Sequence, residues 1–305
     1  MFTRPDRFSR EGYTLLELMI VVVLTGIFST IIFQLLQGHS RFTEMQSARQ
    51  ETLQNTRGTL ALLASELRAV PAGAITLAQA NRIAFRLPRA YGVLCAPLTP
   101  GMSGTAWIAF PTGSFPPDFT MDNLAAWGLA VRGTTQGTFE PMRVSGEVTA
   151  GNPCVADMNI VTGTGVPGAP QLRGFNYTDL AGPVAALRDS SVFAFQPVEY
   201  RVDASGVSAL QGQWIMRRVG NGQFEPLAGP IVQAGEGSSA ASDVGGLRFR
   251  YLCGSAEVAP ALVSGTSVDA IRVIAAMRSN NGNSTRQTDI DSVTVHLRNS
   301  ERTCI

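Results

Sequence analysis

The sequence predicts an α+β fold, and two features read in order predict it. Residues 9–70 contain no proline and carry helical patterning throughout, whereas several later segments alternate apolar and polar side chains with a period of two. A helix first and strands after it describe one long N-terminal helix packed on an antiparallel, β-rich head. The 305 residues are enough for one large or two small domains.

The helix begins with its most apolar part. Residues 1–12 read MFTRPDRFSREG and set Arg4, Arg7 and Arg10 against Asp6 and Glu11. The membrane segment spans about residues 15–36, and residues 18–36 carry no charge at all. Those 19 residues span roughly 28 Å as a helix, close to the hydrocarbon thickness of about 30 Å. Arginines before the segment and a large domain after it predict an N-in, C-out orientation. Residues 37–70 turn polar but stay helical. Leu53, Leu60, Leu63, Leu67 and Val70 recur at helical spacing, and Glu51, Arg57, Glu66 and Arg68 lie mostly off that face. Pro71 and Gly73 stop the helix. It would be roughly 85 Å long, with Gly26, Gly38 and Gly58 as places to bend.

The head, residues 71–305, reads as strands. Phe193, Phe195, Val198, Tyr200 and Val202 mark the first clear one, with Pro197 suggesting an edge or a bulge. Residues 214–219 form a second, and Gly220-Asn221-Gly222 gives a hairpin signal leading to Phe224. Leu247, Phe249, Tyr251 and Cys253 alternate with Arg248, Arg250 and Leu252. Ile271, Val273, Ala275 and Met277 alternate with Arg272, Ile274 and Ala276, and Val293, Val295 and Leu297 with Thr294, His296 and Arg298. Residues 90–190 are less regular. Residues 107–110 look like a strand, and residues 115–118 and 163–168 look like loops, so the stretch reads as an inserted subdomain or a loop-rich surface.

Composition narrows the function. All 24 basic residues are Arg, and the net charge is +1, which gives no general electrostatic reason to bind nucleic acid. A local patch of Arg217, Arg218, Arg248 and Arg250 would be the exception, and arginines paired with strand acids are the simpler account. The histidines His39 and His296 belong to no catalytic constellation, and no Gly-x-Ser-x-Gly elbow, phosphate loop or HExxH occurs. Asp289 and Asp291 share a strand face but supply too few oxygens for calcium. No enzyme activity, cofactor or metal is expected. Cys95, Cys154, Cys253 and Cys304 are too widely spaced for a metal cluster. Outside the cytoplasm they suit one or two disulfides, for which chain order suggests Cys95 with Cys154 and Cys253 with Cys304, and buried free thiols stay an alternative.

Glu17 separates three readings of the N-terminus. A secretory signal would be cut after the apolar run, a signal anchor would stay uncut, and a prepilin would be cut before the run. A carboxylate just inside an apolar helix is costly in lipid and calls for a partner. The run Gly12-Tyr13-Thr14-Leu15-Leu16-Glu17-Leu18-Met19-Ile20-Val21 resembles the signal of type IV prepilins and type II secretion pseudopilins. The resemblance implies a pilin-like fold. It also implies cleavage by a prepilin peptidase after Gly12, so that residues 1–12 are a leader and residues 13–70 the mature helix. It further implies N-methylation at Tyr13, where the family usually has Phe, and pairing of Glu17 with the new amine of a neighbouring subunit.

The head series VFAFQPVEYRV, WIMRRVGNGQFEPLAGPIV, GLRFRYL and DAIRVIAAMRS is similar to the large minor pilins of the W class and the pseudopilins of the J class. That similarity covers roughly the first 70 and last 110 residues. It implies a low-abundance subunit, held in the inner membrane with its head in the periplasm. Such a subunit joins other minor pilins in a priming complex at the filament tip. The pseudopilin J of a type II secretion system is the near rival. A tip adhesin or DNA-uptake subunit, with residues 90–190 as its surface, is a further reading.

Overall fold

The computed structural model describes residues 14–71, 73–98, 103–111, 128–132, 139–148, 171–179, 186–207, 210, 212–233, 246–263, 268–279 and 288–297. The one α-helix among the described residues, α1 (Leu15–Ala69), runs unbroken through Gly26, Gly38 and Gly58. At 55 residues it is about 82 Å long. In the head that follows, every strand pair among the described residues is antiparallel, so the α+β expectation holds.

Nine strands form the first sheet: β1 (Ile75–Ala78), β2 (Arg82–Leu94), β3 (Gly104–Phe110), β4 (Gly128–Arg132), β5 (Phe139–Val148), β6 (Gln171–Asp179), β7 (Ser191–Ala204), β8 (Gln213–Val219) and β9 (Glu225–Ala228). Their order is β1-β2-β3-β6-β5-β4-β7-β8-β9, and β2 also pairs with β7. That extra pairing closes β2, β3, β6, β5, β4 and β7 into a ring, which makes a six-stranded barrel. The rest of the sheet continues below the ring. A second sheet holds β10 (Leu247–Cys253), β11 (Ala256–Val258), β12 (Ala270–Arg278) and β13 (Thr288–His296) in the order β11-β10-β12-β13.

Two large hydrophobic cores result among the described residues. The stalk core joins Leu60, Leu63 and Leu67 of α1 to Phe85, Tyr200, Phe249 and Val273 of the two sheets. The barrel core is separate and contains Leu94, Ile108, Phe110, Leu129, Phe175 and Val192. Each barrel strand contributes alternate residues, as a half-buried strand must. At one mouth Arg173 and Glu147, 3.5 Å apart, lie on the inward register positions beside Phe175.

Two bulges keep this register. Arg89 is an extra residue in β2, and Ser145 is one in β5. Side chains alternate with a period of two, so one inserted residue exchanges the faces. Ile83, Phe85 and Leu87 therefore face the stalk core, and Ala90 and Leu94 continue the same face into the barrel.

Glycines stand where neighbouring strands and rings approach most closely in the barrel. A Cβ on Gly92 would lie 2.8 Å from the Ala109 carbonyl oxygen, and one on Gly174 would lie 2.9 Å from the Trp107 ring. Gly128 sits opposite Phe195, whose ring lies across it.

Several sequence expectations need correction. Leu53 is only half-buried, and the buried face of α1 instead starts with Ala48, Thr52, Thr56 and Thr59 before reaching Leu60. Thr52, Thr56 and Thr59 donate their hydroxyls to the carbonyls of Ala48, Thr52 and Asn55, at 2.8, 2.8 and 2.7 Å. Satisfied in this way, they pack as small side chains where α1 meets the second sheet. Pro197 lies on neither an edge nor a bulge. On one side of β7, β4 ends its pairing at Phe195 and β8 begins at Val198, with Gly220 N–H donating to the Pro197 carbonyl. The missing proline N–H thus falls in the gap between two partner strands. Phe193 does not share the face of Val198 and Tyr200, because Val192 and Ala194 point into the barrel. The loop assignments at residues 115–118 and 163–168 lie outside the described residues.

Candidate assembly site

The start of α1 is set by a capping arrangement. Thr14 is the N-cap, with φ −75° and ψ 149°, and its Oγ1 accepts from the Glu17 N–H at 3.3 Å. Thr14-x-x-Glu17 is the sequence form of a capping box, a signal the sequence reading passed over. Glu17 therefore has a local reason for its place, since a carboxylate in the first turn is favoured by the positive end of the helix dipole. Gly12 and Tyr13 lie outside the described residues.

From residue 14 to residue 47 every side chain is exposed. Sixteen large apolar side chains between Leu15 and Leu36 stand in that stretch. At about 1.5–3 kcal/mol for burying each, tens of kcal/mol favour covering this surface. A bare apolar face of that size marks a membrane or protein contact. The helix is long and apolar enough to cross a membrane. Before the head takes hold at Ala48, α1 projects about 50 Å as a bare rod.

At the other end, α1 is latched to the head by a buried polar cluster. Glu66 accepts from the Tyr200 hydroxyl at 2.6 Å and from Arg217 Nη2 at 2.6 Å. Arg217 Nε also donates to the Tyr200 oxygen at 3.1 Å. Burial pushes the Tyr200 hydroxyl well above the usual tyrosine range, and the Glu66 charge and hydrogen bond push it further. For Arg217, burial alone would lower its pKa, but Glu66 and Tyr200 outweigh it and leave it raised. The cluster sets the Tyr200 hydroxyl between the Glu66 carboxylate and the Arg217 guanidinium, so the acid, the hydroxyl and the base each have a hydrogen-bond partner. Sequence could not reveal it, because Glu66 lies 134 and 151 residues from its partners.

The four arginines considered as a basic patch are not brought together. Arg217 faces the helix with Tyr200, whereas Arg218 shares the opposite face with Glu199 and pairs with it. Arg248 and Arg250 belong to the second sheet, where Arg250 lies 3.5 Å from Glu257. Asp289 and Asp291 sit on one face of β13, opposite Met277 and Ala275. His296 is exposed. Cys95, just past β2, and Cys253, at the end of β10, are both disulfide-bonded. Cys154 and Cys304 lie outside the described residues.

Residues 7–33 match the family model described as the prokaryotic N-terminal methylation motif. The matched span contains Gly12, Tyr13, Glu17 and most of the apolar segment 15–36. Neither the curated proteins nor the solved structures give a match to this chain. The chain thus joins a prepilin-type methylation motif to a long apolar helix and an antiparallel head, an arrangement consistent with a type IV pilin-like protein.

Proposed function

We propose that this chain is a minor subunit of a type IV pilus that joins the tip complex from which the filament grows. Prepilin peptidase would cut after Gly12 and methylate the new amine of Tyr13. The apolar half of α1 would hold the subunit in the inner membrane, amino end inside and head in the periplasm. In the filament that same surface would pack against the helices of other subunits.

The observation that carries this reading is Glu17, a carboxylate at the third helical position and the only charge in the segment 15–36. Two opposite charges are tolerable in an apolar setting only as a pair. Glu17 would meet the amine of a neighbouring subunit and so fix the register of helix against helix. The barrel supports a minor place. Its root meets Ala69 and Pro71 at the far end of α1 from Glu17, where repeated packing of a main subunit favours a compact head. The periplasm also suits the disulfides, which we assign as Cys95 with Cys154 and Cys253 with Cys304, one for the barrel and one for the second sheet.

The pseudopilin J reading shares the helix, so the phenotype of a deletion strain separates the two. Loss of surface pili with normal protein secretion supports the pilus assignment, and the reverse supports the secretion system. N-terminal mass mapping of the membrane-extracted protein tests the processing step. A mature start at Tyr13 is expected, and a start at Met1 or near residue 40 refutes it. Glu17→Ala should be processed normally yet stay out of sheared filaments. Wild-type incorporation would remove the pairing role.

A further inference from the structure

Two recesses meet where the barrel joins the end of the stalk. The larger, about 470 Å³, is lined by Pro71, Pro88, Arg89, Tyr91 and Phe193. The smaller, about 10 Å³, shares Pro71, Pro88 and Phe193 with it and is a narrow cleft that reaches Arg86, Phe139 and Phe195. The bulge in β2 makes this place, because the extra residue Arg89 lets Ala90 turn into the barrel while Tyr91 turns out. Tyr91 is 58% exposed, and its cross-strand partner is Phe193. Phe139 meets Phe193 edge to face at 4.6 Å.

The cationic groups of this groove are unevenly satisfied. Arg89 Nε donates to Gln196 Oε1 at 3.0 Å, which fixes the guanidinium and leaves its two terminal nitrogens unused by that bond. Arg86 is half-buried, 5.3 Å from the centre of the Phe195 ring. Among the described residues no carboxylate bonds to it, and burial lowers its pKa. A cation drawn out of water without a counter-charge is costly, and an anionic ligand would offset that cost. Guanidinium groups bind carboxylates through paired donors.

The walls narrow the ligand further. An extended peptide needs a run of free backbone donors, but Pro71 and Pro88 have no N–H and the bulge interrupts the ladder. Recognition is left to ring faces and guanidinium groups. A sugar ring offers the matching chemistry, since its C–H face is apolar and its hydroxyls and carboxylate lie at the rim. A volume of this size is within the ordinary range for small ligands.

We propose that the groove between the end of α1 and the barrel binds an acidic sugar, with the ring stacked on Tyr91 and Phe193 and the carboxylate held by Arg86 and Arg89. The site stands whether or not the subunit occupies a filament tip.

The test is calorimetric titration of the detergent-solubilised full-length protein. The probes are tri-galacturonate, the uncharged galactotriose, and a tri-glutamate peptide. Saturable binding of tri-galacturonate is expected, with affinity about tenfold or more weaker for the neutral sugar and for the peptide. Tyr91→Ala and Arg89→Gln, both at exposed positions, should weaken it by about tenfold with an unchanged melting temperature. Arg86→Gln should weaken binding by about tenfold as well, with a shifted melting temperature because Arg86 is half-buried on the Phe195 ring. No binding of tri-galacturonate overturns the proposal. So do equal binding of the neutral sugar, tighter binding of the peptide, or undiminished binding by the Tyr91 and Arg89 variants.

Discussion

The core on the stalk and the core inside the barrel bury the same kinds of side chain but are closed by different means. The stalk core has a helix for one wall, and β-strands meet it through Leu63, Leu67 and the Glu66–Tyr200–Arg217 latch. Among the described residues the barrel core is walled by strands, with the isolated bridge of Leu98 and Ala186 adding to it. Its walls come together because Gly92, Gly128 and Gly174 leave room where a Cβ would collide. Closure also removes the free strand edges that an inserted sheet would otherwise present. One core depends on long-range attraction between elements far apart in sequence, and the other on the absence of side chains at three seams.

Four perturbations would break or sharpen that contrast. The largest effect should come from Leu67→Ala, which empties a fully buried site between helix and sheets. A loss of about 2–5 kcal/mol is expected, read as a lowered denaturation midpoint with hydrogen-exchange protection lost first at β12 and β13. Next is Glu66→Gln, which keeps the shape but leaves Arg217 without its counter-charge. A loss of about 2–3 kcal/mol is expected, because Arg217 keeps some contact with solvent. Protection should fall in β8 and the last turns of α1 while β3 and β6 stay protected.

Gly174→Ala should act on the other core. Its new Cβ would meet both the Trp107 ring and the Val148 carbonyl oxygen at 2.9 Å, for a loss of about 1–3 kcal/mol. Here exchange should rise in β3, β5 and β6 and leave the stalk core unchanged. If protection falls equally in both regions after either Glu66→Gln or Gly174→Ala, the two cores are one cooperative unit and the contrast fails.

The smallest effect is alkaline. Tyr200 and Tyr251 both lie in the stalk core, and burial raises both hydroxyls above the unfolded value. Their protonated forms contribute stability in full below the unfolded tyrosine pKa of about 10. That contribution is lost as pH rises toward the folded values. Circular dichroism against pH should show loss starting above about 10, and Tyr200→Phe should make it shallower.

The helix was legible because its signals are local. An uncharged run, the lack of proline and the Pro71 stop are properties of neighbouring residues, and Glu17 stands out against an apolar background. Strands β7, β8, β10, β12 and β13 were legible for the same reason, since alternation is read within each. The Thr52–Thr56–Thr59 face was not, because hydroxyls satisfied by the preceding turn behave as small packing groups that a search for apolar periodicity passes over.

The sequence by itself determined that an apolar rod with one acid near its start precedes a β-rich head, and those two facts carry the assembly reading. Only the tertiary structure decided that β2 and β7 close a ring, that Arg89 is a bulge turning Tyr91 outward, and that Glu66 finds Tyr200 and Arg217. Each of these depends on which distant strand lies alongside, and that choice is made by the whole core rather than by any local pattern.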